Sequence, residues 1–282
     1  MSRTEETLID GGLQQTAWLT AGCHVSAGAA WALHRPVSAW LIDRFGMPPF
    51  TDRLKYFTVH GVAQRAAAID RMLDARLSEW EANGDTYEVW SLGAGFDSRW
   101  YSLGGRPGLR RYLEFDLPDL LTRKRALLDA SPYAQEYARV IAMPGEVQET
   151  VAAAAPEEGN RLMVVIEGMI DYLDAEEKRR LLADLAAKQG GCEVIVDVQN
   201  GHLTRHNNRR AERATGTAVV RFSPAPDHPE HFYTAATGFR LHATEALFPG
   251  LFKARFPRLG LLLPLPERVR RSYLLLHLVP AR

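Results

Sequence analysis

The stretch that most constrains this chain is Val89-Trp90-Ser91-Leu92-Gly93-Ala94-Gly95-Phe96-Asp97-Ser98, an apolar run that enters Gly-x-Gly. Glycine at both positions lets the main chain turn tightly and lets a ligand come close to the backbone. The helix that follows would offer its free N–H groups to that ligand. A plain strand-to-helix turn would need no more than this. Here, however, Glu114 lies 21 residues beyond Gly93, and Asp116 two further on, at the end of a second apolar run. A carboxylate about 20 residues past such a loop is where open α/β sheets hold a ribose diol. Residues two apart share one strand face, so one carboxylate can take the ribose while the other supports it. The pair can also simply end a strand and cap the next helix. Position 98, where a dinucleotide fingerprint carries a third small residue, is Ser98. That turns the reading from NAD toward S-adenosylmethionine (SAM), which has ribose and adenine but no pyrophosphate to cradle.

The pattern around the loop fixes the fold class. Val62, Ala66, Ile69, Leu73, Leu77 and Trp80 recur at helical spacing, and Gly84-Asp85 breaks the stripe. Short apolar runs then alternate with helical patterns: Glu88–Leu92, Tyr112–Phe115, Arg139–Met143, Leu162–Ile166 and Val194–Val198. Pro118 opens one intervening helix, and Asp174 with Glu177 forms a capping box before Leu181, Leu182 and Leu185. This alternation predicts an α/β fold with a mostly parallel, doubly wound sheet. Phe239–His242 and Tyr273–Val279 read as closing strands. Asp227 and Glu230 offer another capping pair, Gly238 a helix stop, and the segment around Pro224, Pro226 and Pro229 a loop or lid. Two regions result: helical residues 1–85, and the sheet region of residues 86–282 that carries the loop.

Composition excludes several partners. The 34 Lys and Arg balance 34 Asp and Glu, which removes the simplest electrostatic case for nucleic acid or an anionic membrane. The basic run Leu203–Arg213 has no interleaved aromatics. Gly11–His34 carries no Asp, Glu, Lys or Arg, but its glutamines, His24 and glycines make it too polar for a membrane span; it reads as a buried or ligand-facing helix. Cys23 and Cys192 are too few for a disulfide framework or a CxxC metal site. Met1–Asp10 is polar and acidic, which predicts no signal peptide and a cytoplasmic location.

Three separated segments together resemble one family. They are Leu92-Gly93-Ala94-Gly95-Phe96-Asp97-Ser98-Arg99, Glu114-Phe115-Asp116-Leu117-Pro118 with Lys124 after it, and Ile166-Glu167-Gly168-Met169-Ile170-Asp171-Tyr172-Leu173. In this order they resemble the leucine carboxyl methyltransferase family, which includes tetracenomycin-type polyketide O-methyltransferases. The resemblance implies a class I SAM-dependent methyltransferase: a Rossmann-like seven-stranded sheet with an antiparallel last strand, behind an N-terminal helical lid. It implies SAM as cofactor, S-adenosylhomocysteine (SAH) as product and a small-molecule acceptor, in secondary metabolism for many bacterial members. Gly93 and Gly95 would line the methionine part of SAM, Asp116 would hold the ribose, Glu167 would line the pocket and Arg65 would pair with the methionine carboxylate. Ala94, Asp97, Glu114, Leu117 and Gly168, within the same motifs, complete the expected cofactor-binding set. Arg65 also sits at the edge of the helical stripe, where a guanidinium needs an anionic partner; Asp70 is the competing partner. Glu167 ends a buried strand, a costly place for a carboxylate without a donor.

The chain departs from the family at two places. No Asp follows the third strand in Val140–Glu146, which leaves adenine to the backbone or to Glu146. Thr16–Phe50 matches the family poorly, so the acceptor cannot be carried over, and a member that binds SAM without methyl transfer stays open as an alternative. A hydroxyl acceptor would benefit from a base. Among His24, His34, His60, His202 and His206, His202 is favoured, because it follows Val198-Gln199-Asn200 at the sheet edge. Tyr172 is expected to line the pocket. No metal is expected, and a homodimer is compatible with the sequence.

Overall fold

The structure, a computed structural model, describes residues 12–47, 55–188, 191–215, 222–223, 228–235, 237–258 and 265–281 of the 282. All seven expected strands form: β1 Tyr87–Leu92, β2 Leu109–Asp116, β3 Val140–Pro144, β4 Arg161–Ile166, β5 Cys192–Gln199, β6 Phe239–Ala246 and β7 Tyr273–Pro280. They make one sheet in the order β3-β2-β1-β4-β5-β7-β6. Strands β1 to β5 run parallel, while β7 is antiparallel to both β5 and β6. The result is a seven-stranded mixed sheet with flanking helices and an antiparallel last strand, as the resemblance implies.

The central strands are near-continuous apolar runs because both faces are covered. Successive side chains of β1 point to opposite faces. Val89 joins Met163, Val165 and Ile195 on one side. Trp90 and Leu92 join Val164 and Val196 on the other. The first face is roofed by α3 (Lys55–Ala82), whose Ile69, Leu73, Leu77 and Trp80 enter the same cluster. The described helices before β1 and the sheet therefore share one core. The second face is covered by α8 (Ala175–Ala186), through Leu181, Leu182 and Leu185.

The remaining α-helices among the described residues are α1 (Gly12–Ala27), α2 (Pro36–Phe45), α4 (Arg99–Leu103), α5 (Pro118–Asp129), α6 (Ala134–Tyr137), α7 (Val147–Ala153), α9 (Gly201–Thr215), α10 (Pro229–Thr234), α11 (Leu247–Arg255) and α12 (Glu267–Arg270). The charge-free α1 packs on α3 through small residues, Cys23 and Ala27 against Ala63, Ala66 and Ala67. Its Trp18 meets Phe96 edge-on at 5.8 Å, which lays α1 across the loop after β1. The Asp174 capping box forms as expected, its carboxylate accepting from the amides of Glu176 and Glu177. Asp227 lies outside the described residues, α10 starts after His228 without a side-chain cap, and the helix ends at Ala235. Gly238, at φ +79°, instead turns the chain directly into β6. No described helix is long and apolar enough to cross a membrane.

Candidate functional site

Strand order reverses at β1, with β2 on one side and β4 on the other. Ligands in open parallel sheets sit at this switch point, beyond the strand C-termini. A cavity of about 670 Å³ opens there, within the range of cofactor and small-molecule sites, about 300–1,000 Å³. It is lined by α1, by the loops after β1, β2, β4 and β5, and by the start of α9.

The loop after β1 is held against β2: the amides of Gly93 and Ala94 donate to the Phe115 carbonyl at 2.8 and 3.2 Å. Gly93 adopts φ +66°, and a Cβ there would stand 2.6 Å from the Met169 Cβ, so no side chain fits. The Gly95 amide donates to Asp116 Oδ2 at 2.7 Å, and the Leu117 amide to Oδ1 at 2.7 Å. Burial pushes the Asp116 carboxyl up and these two amides oppose it. A carboxylate has about four lone-pair sites, so the group is oriented by the main chain and can still accept from a diol.

Arg65 reaches the cavity from α3. Its Nε donates to Glu167 Oε1 at 2.9 Å, and its Nη1 to Asp197 Oδ2 at 3.3 Å and to the Tyr273 hydroxyl at 3.0 Å. Tyr273 in turn donates to Asp197 at 2.6 Å, and the Gly168 amide donates to the other Asp197 oxygen at 2.6 Å. Nη2 has no hydrogen-bond partner among the described residues. Gly168, at φ +68°, leaves room for the guanidinium. Arg99, 1% exposed, binds Asp70, Asp97 and Glu167 at 2.7, 3.2 and 2.6 Å. Arg35 holds the other Asp70 oxygen at 2.6 Å. Burial alone would push the Glu167 carboxyl up, but Arg99 and then Arg65 outweigh it and hold the group well below the carboxylate range.

Of the expected residues, Arg65, Gly93, Ala94, Gly95, Asp97, Asp116, Glu167, Gly168, Tyr172 and His202 all line this cavity. Tyr172 lies against Phe222, ring centroids 5.1 Å apart, and His202 is exposed in the first turn of α9. Two do not line it. Glu114 is fully buried, its oxygens taken by Lys124 Nζ at 2.7 Å and the Tyr137 hydroxyl at 2.9 Å. It lies on the same strand face as Asp116 but one pleat deeper, and Lys124 also binds the Asp97 carbonyl at 2.7 Å. Glu114 thus supports the loop from below, and its expected place among the cofactor-binding residues is corrected to that support. Leu117 contributes only its amide, to Asp116. Nor does any of residues 140–146 line the cavity, Glu146 included; Leu120 of α5 lines it on that side.

Several lining residues had not been assigned: His24, Arg99, Asp171 and Tyr273, with Asp197 buried behind Arg65. Asp197 carried a readable signal, a carboxylate inside an apolar strand. Burial pushes the Asp171 carboxyl up to about 7, against Lys178 3.8 Å away. Burial also pushes the His24 imidazole down to about 4.

The leucine carboxyl methyltransferase family model matches residues 29–186. Over 95 residues the chain is 36% identical to a protein of Frankia alni with the provisional description S-adenosyl-L-methionine-dependent methyltransferase; this covers 32% of the chain and 33% of that protein. The chain thus spans about a third of the length of the curated relative it matches. Among solved structures, it resembles magnesium protoporphyrin IX methyltransferase from Synechocystis PCC 6803 with bound SAH at 13% identity and TM-score 0.49, over 86% of this chain and 95% of that one. It resembles LepI in complex with SAM at 12% identity and TM-score 0.47, over 74% and 46%. At these scores neither likeness bears on function.

Proposed function

The chain belongs to the leucine carboxyl methyltransferase family, and from that premise we propose that its cavity binds SAM and that the protein methylates an oxygen, carboxylate or hydroxyl, of a small molecule. The observation that carries the reading is one of assembly. Arg65 of α3, the Gly93–Gly95 loop and Asp116 at the end of β2 come from separate stretches of chain and meet on one cavity. The donor set fits the cofactor. Arg65, Arg99 and Arg35 are knitted to Glu167, Asp97, Asp70 and Asp197, three guanidinium groups against four carboxylates. That excess of negative charge suits a ligand with two cationic centres and one carboxylate.

When bound, SAM supplies an activated methyl group on a sulfonium. The chain's own residues do the positioning. Arg65 presents Nη2 to the methionine carboxylate, pre-aimed because Glu167, Asp197 and Tyr273 fix its other nitrogens. Asp116, fixed by two amides, accepts from the ribose hydroxyls. Much of the catalysis is alignment of an acceptor oxygen with the methyl carbon, and the acceptor half of the cavity offers Tyr172, Phe222, Phe248 and Leu251 for that purpose. A carboxylate acceptor needs no base. For a hydroxyl, His202 at the rim is the base we favour. Isothermal titration calorimetry with SAM and SAH tests the reading: micromolar binding of either is expected, and binding of neither refutes it. A second reading, SAM binding without methyl transfer, is favoured by the absence of residues 140–146 from the cavity lining. It predicts SAM binding but no SAH formation across a panel of acids and phenols.

A further inference from the structure

The cofactor reading above is the basis for a sharper one about its amino-acid end. On two residues that line the cavity, three buried polar atoms have no hydrogen-bond partner among the described residues: Nδ1 and Nε2 of His24, and Oδ1 of Asp97. Unpaired buried polar groups are costly and rare in native proteins. All three belong to residues that line one cavity, and a ligand bound there is the partner they lack.

Their chemistry says which. His24, in the last turn of α1, is 4% exposed and faces Glu167, Arg35, Arg99 and Asp97. Burial keeps its imidazole uncharged at neutral pH, so one ring nitrogen carries a free lone pair. Asp97 Oδ2 is held by Arg99 at 3.2 Å and lies 3.4 Å from the Tyr112 hydroxyl; Oδ1 is left with negative charge and no donor. A lone pair and a carboxylate oxygen are both acceptors, and their natural partner is a cation with several N–H donors. We propose that His24 and Asp97 together hold the α-ammonium group of the cofactor. Arg65 Nη2 opens on the same cavity and takes the neighbouring carboxylate, so the two ends of the zwitterion are read by different walls. The surroundings of His24 also argue against a role as base toward the acceptor. Its charged neighbours flank the loop after β1 and the end of β4, whereas Tyr172, Phe222 and His202 gather at the acceptor end.

Three ligands separate this role from the alternatives: SAH, its deaminated analogue, which keeps the carboxylate, and 5′-methylthioadenosine, which lacks the amino-acid portion. Calorimetry on His24→Phe should show SAH affinity lowered by about 10- to 100-fold, with the other two ligands changed less than about twofold. His24→Gln, which retains an acceptor oxygen, should lose less for SAH than His24→Phe. Equal loss for all three ligands would make His24 a packing residue, and unchanged SAH affinity would leave it without a ligand; either overturns the proposal. If the phenylalanine variant does not fold, His24→Gln and Asp97→Asn give the same comparison, and a loss not confined to SAH overturns it. Failure of the wild-type protein to bind SAH would overturn the cofactor reading itself, and this inference with it.

Discussion

Replacing Gly168 by alanine separates two terms that the structure allows to be worked out. Gly168 has φ +68°, and a residue with a Cβ in that left-handed region costs about 1–2 kcal/mol. The new Cβ would also stand 3.0 Å from Arg65 Nη1 and 3.1 Å from Nη2. A free arginine end would swing aside at little cost. This one cannot, because Glu167, Asp197 and Tyr273 hold it from three sides. The crowding should therefore cost about 1 kcal/mol more, at the low end for an overpacked site. Gly84 supplies the control: its φ is +77° and nothing lies within 4 Å of its Cβ position, so Gly84→Ala carries the backbone term alone. In urea, both variants should lower the unfolding midpoint with an unchanged slope, Gly168→Ala the more. SAH titration should then show affinity lowered about tenfold for Gly168→Ala, about 1.4 kcal/mol, and unaltered for Gly84→Ala. If the two variants lose equal stability and bind SAH equally, Arg65 is not held as described and the reasoning fails.

Two further outcomes follow from buried charge. Lys124→Met leaves Glu114 fully buried with only the Tyr137 hydroxyl as partner, which should cost about 3–5 kcal/mol; the loss should shrink at acidic pH, where Glu114 can take a proton, and in the double variant with Glu114→Gln. A pH-independent loss would show that lost packing dominates. His24 predicts a pH dependence of stability. Its imidazole is held at about 4 in the folded chain against 6.5 normally, so below pH 6.5 the unfolded state takes up a proton that the folded state refuses. Stability is full above about pH 6.5 and falls by about 3 kcal/mol as pH drops to 4. Urea midpoints of His24→Phe, compared with wild type between these limits, should lack that component; identical pH profiles would refute it.

Most of the fold was legible because buried parallel strands announce themselves as apolar runs. The seven strands differ from the predicted runs mainly by a few residues at their ends, with β6 reaching four residues further, to Ala246. The capping box at Asp174 was legible because it is a local exchange of hydrogen bonds. The start of α10 after His228 was not, since no local rule places it there. Spacing put Glu114 and Asp116 on one strand face correctly, but which of them reaches the surface depends on α5 and α6 closing over Glu114 with Lys124 and Tyr137. Arg99 stood inside a quoted motif without a role, because its partner Asp70 lies 29 residues earlier. His24 stood in the candidate set as a base. That its ring nitrogens meet no donor or acceptor among the described residues is a property of packing, and periodicity carries no trace of it.

The same distinction explains why the balanced composition of 34 against 34 charged side chains says so little about the ligand. Charge is balanced over the chain but not over the cavity wall, where carboxylates outnumber guanidinium groups. The excess is tolerable because each carboxylate does structural service. Glu167 joins two arginines, Asp70 joins Arg35 at the start of α2 to Arg99 after β1, and Asp197 joins β5 to Arg65, Tyr273 and the Gly168 amide. Deleting Asp70 takes from Arg35 its carboxylate partner, and deleting Glu167 or Asp197 takes one of two from Arg65; removing one member of a buried charge network is destabilising. Loss of affinity alone is thus a poor criterion for a cofactor residue in this network, whereas ligands differing by one charged group can distinguish contact from support.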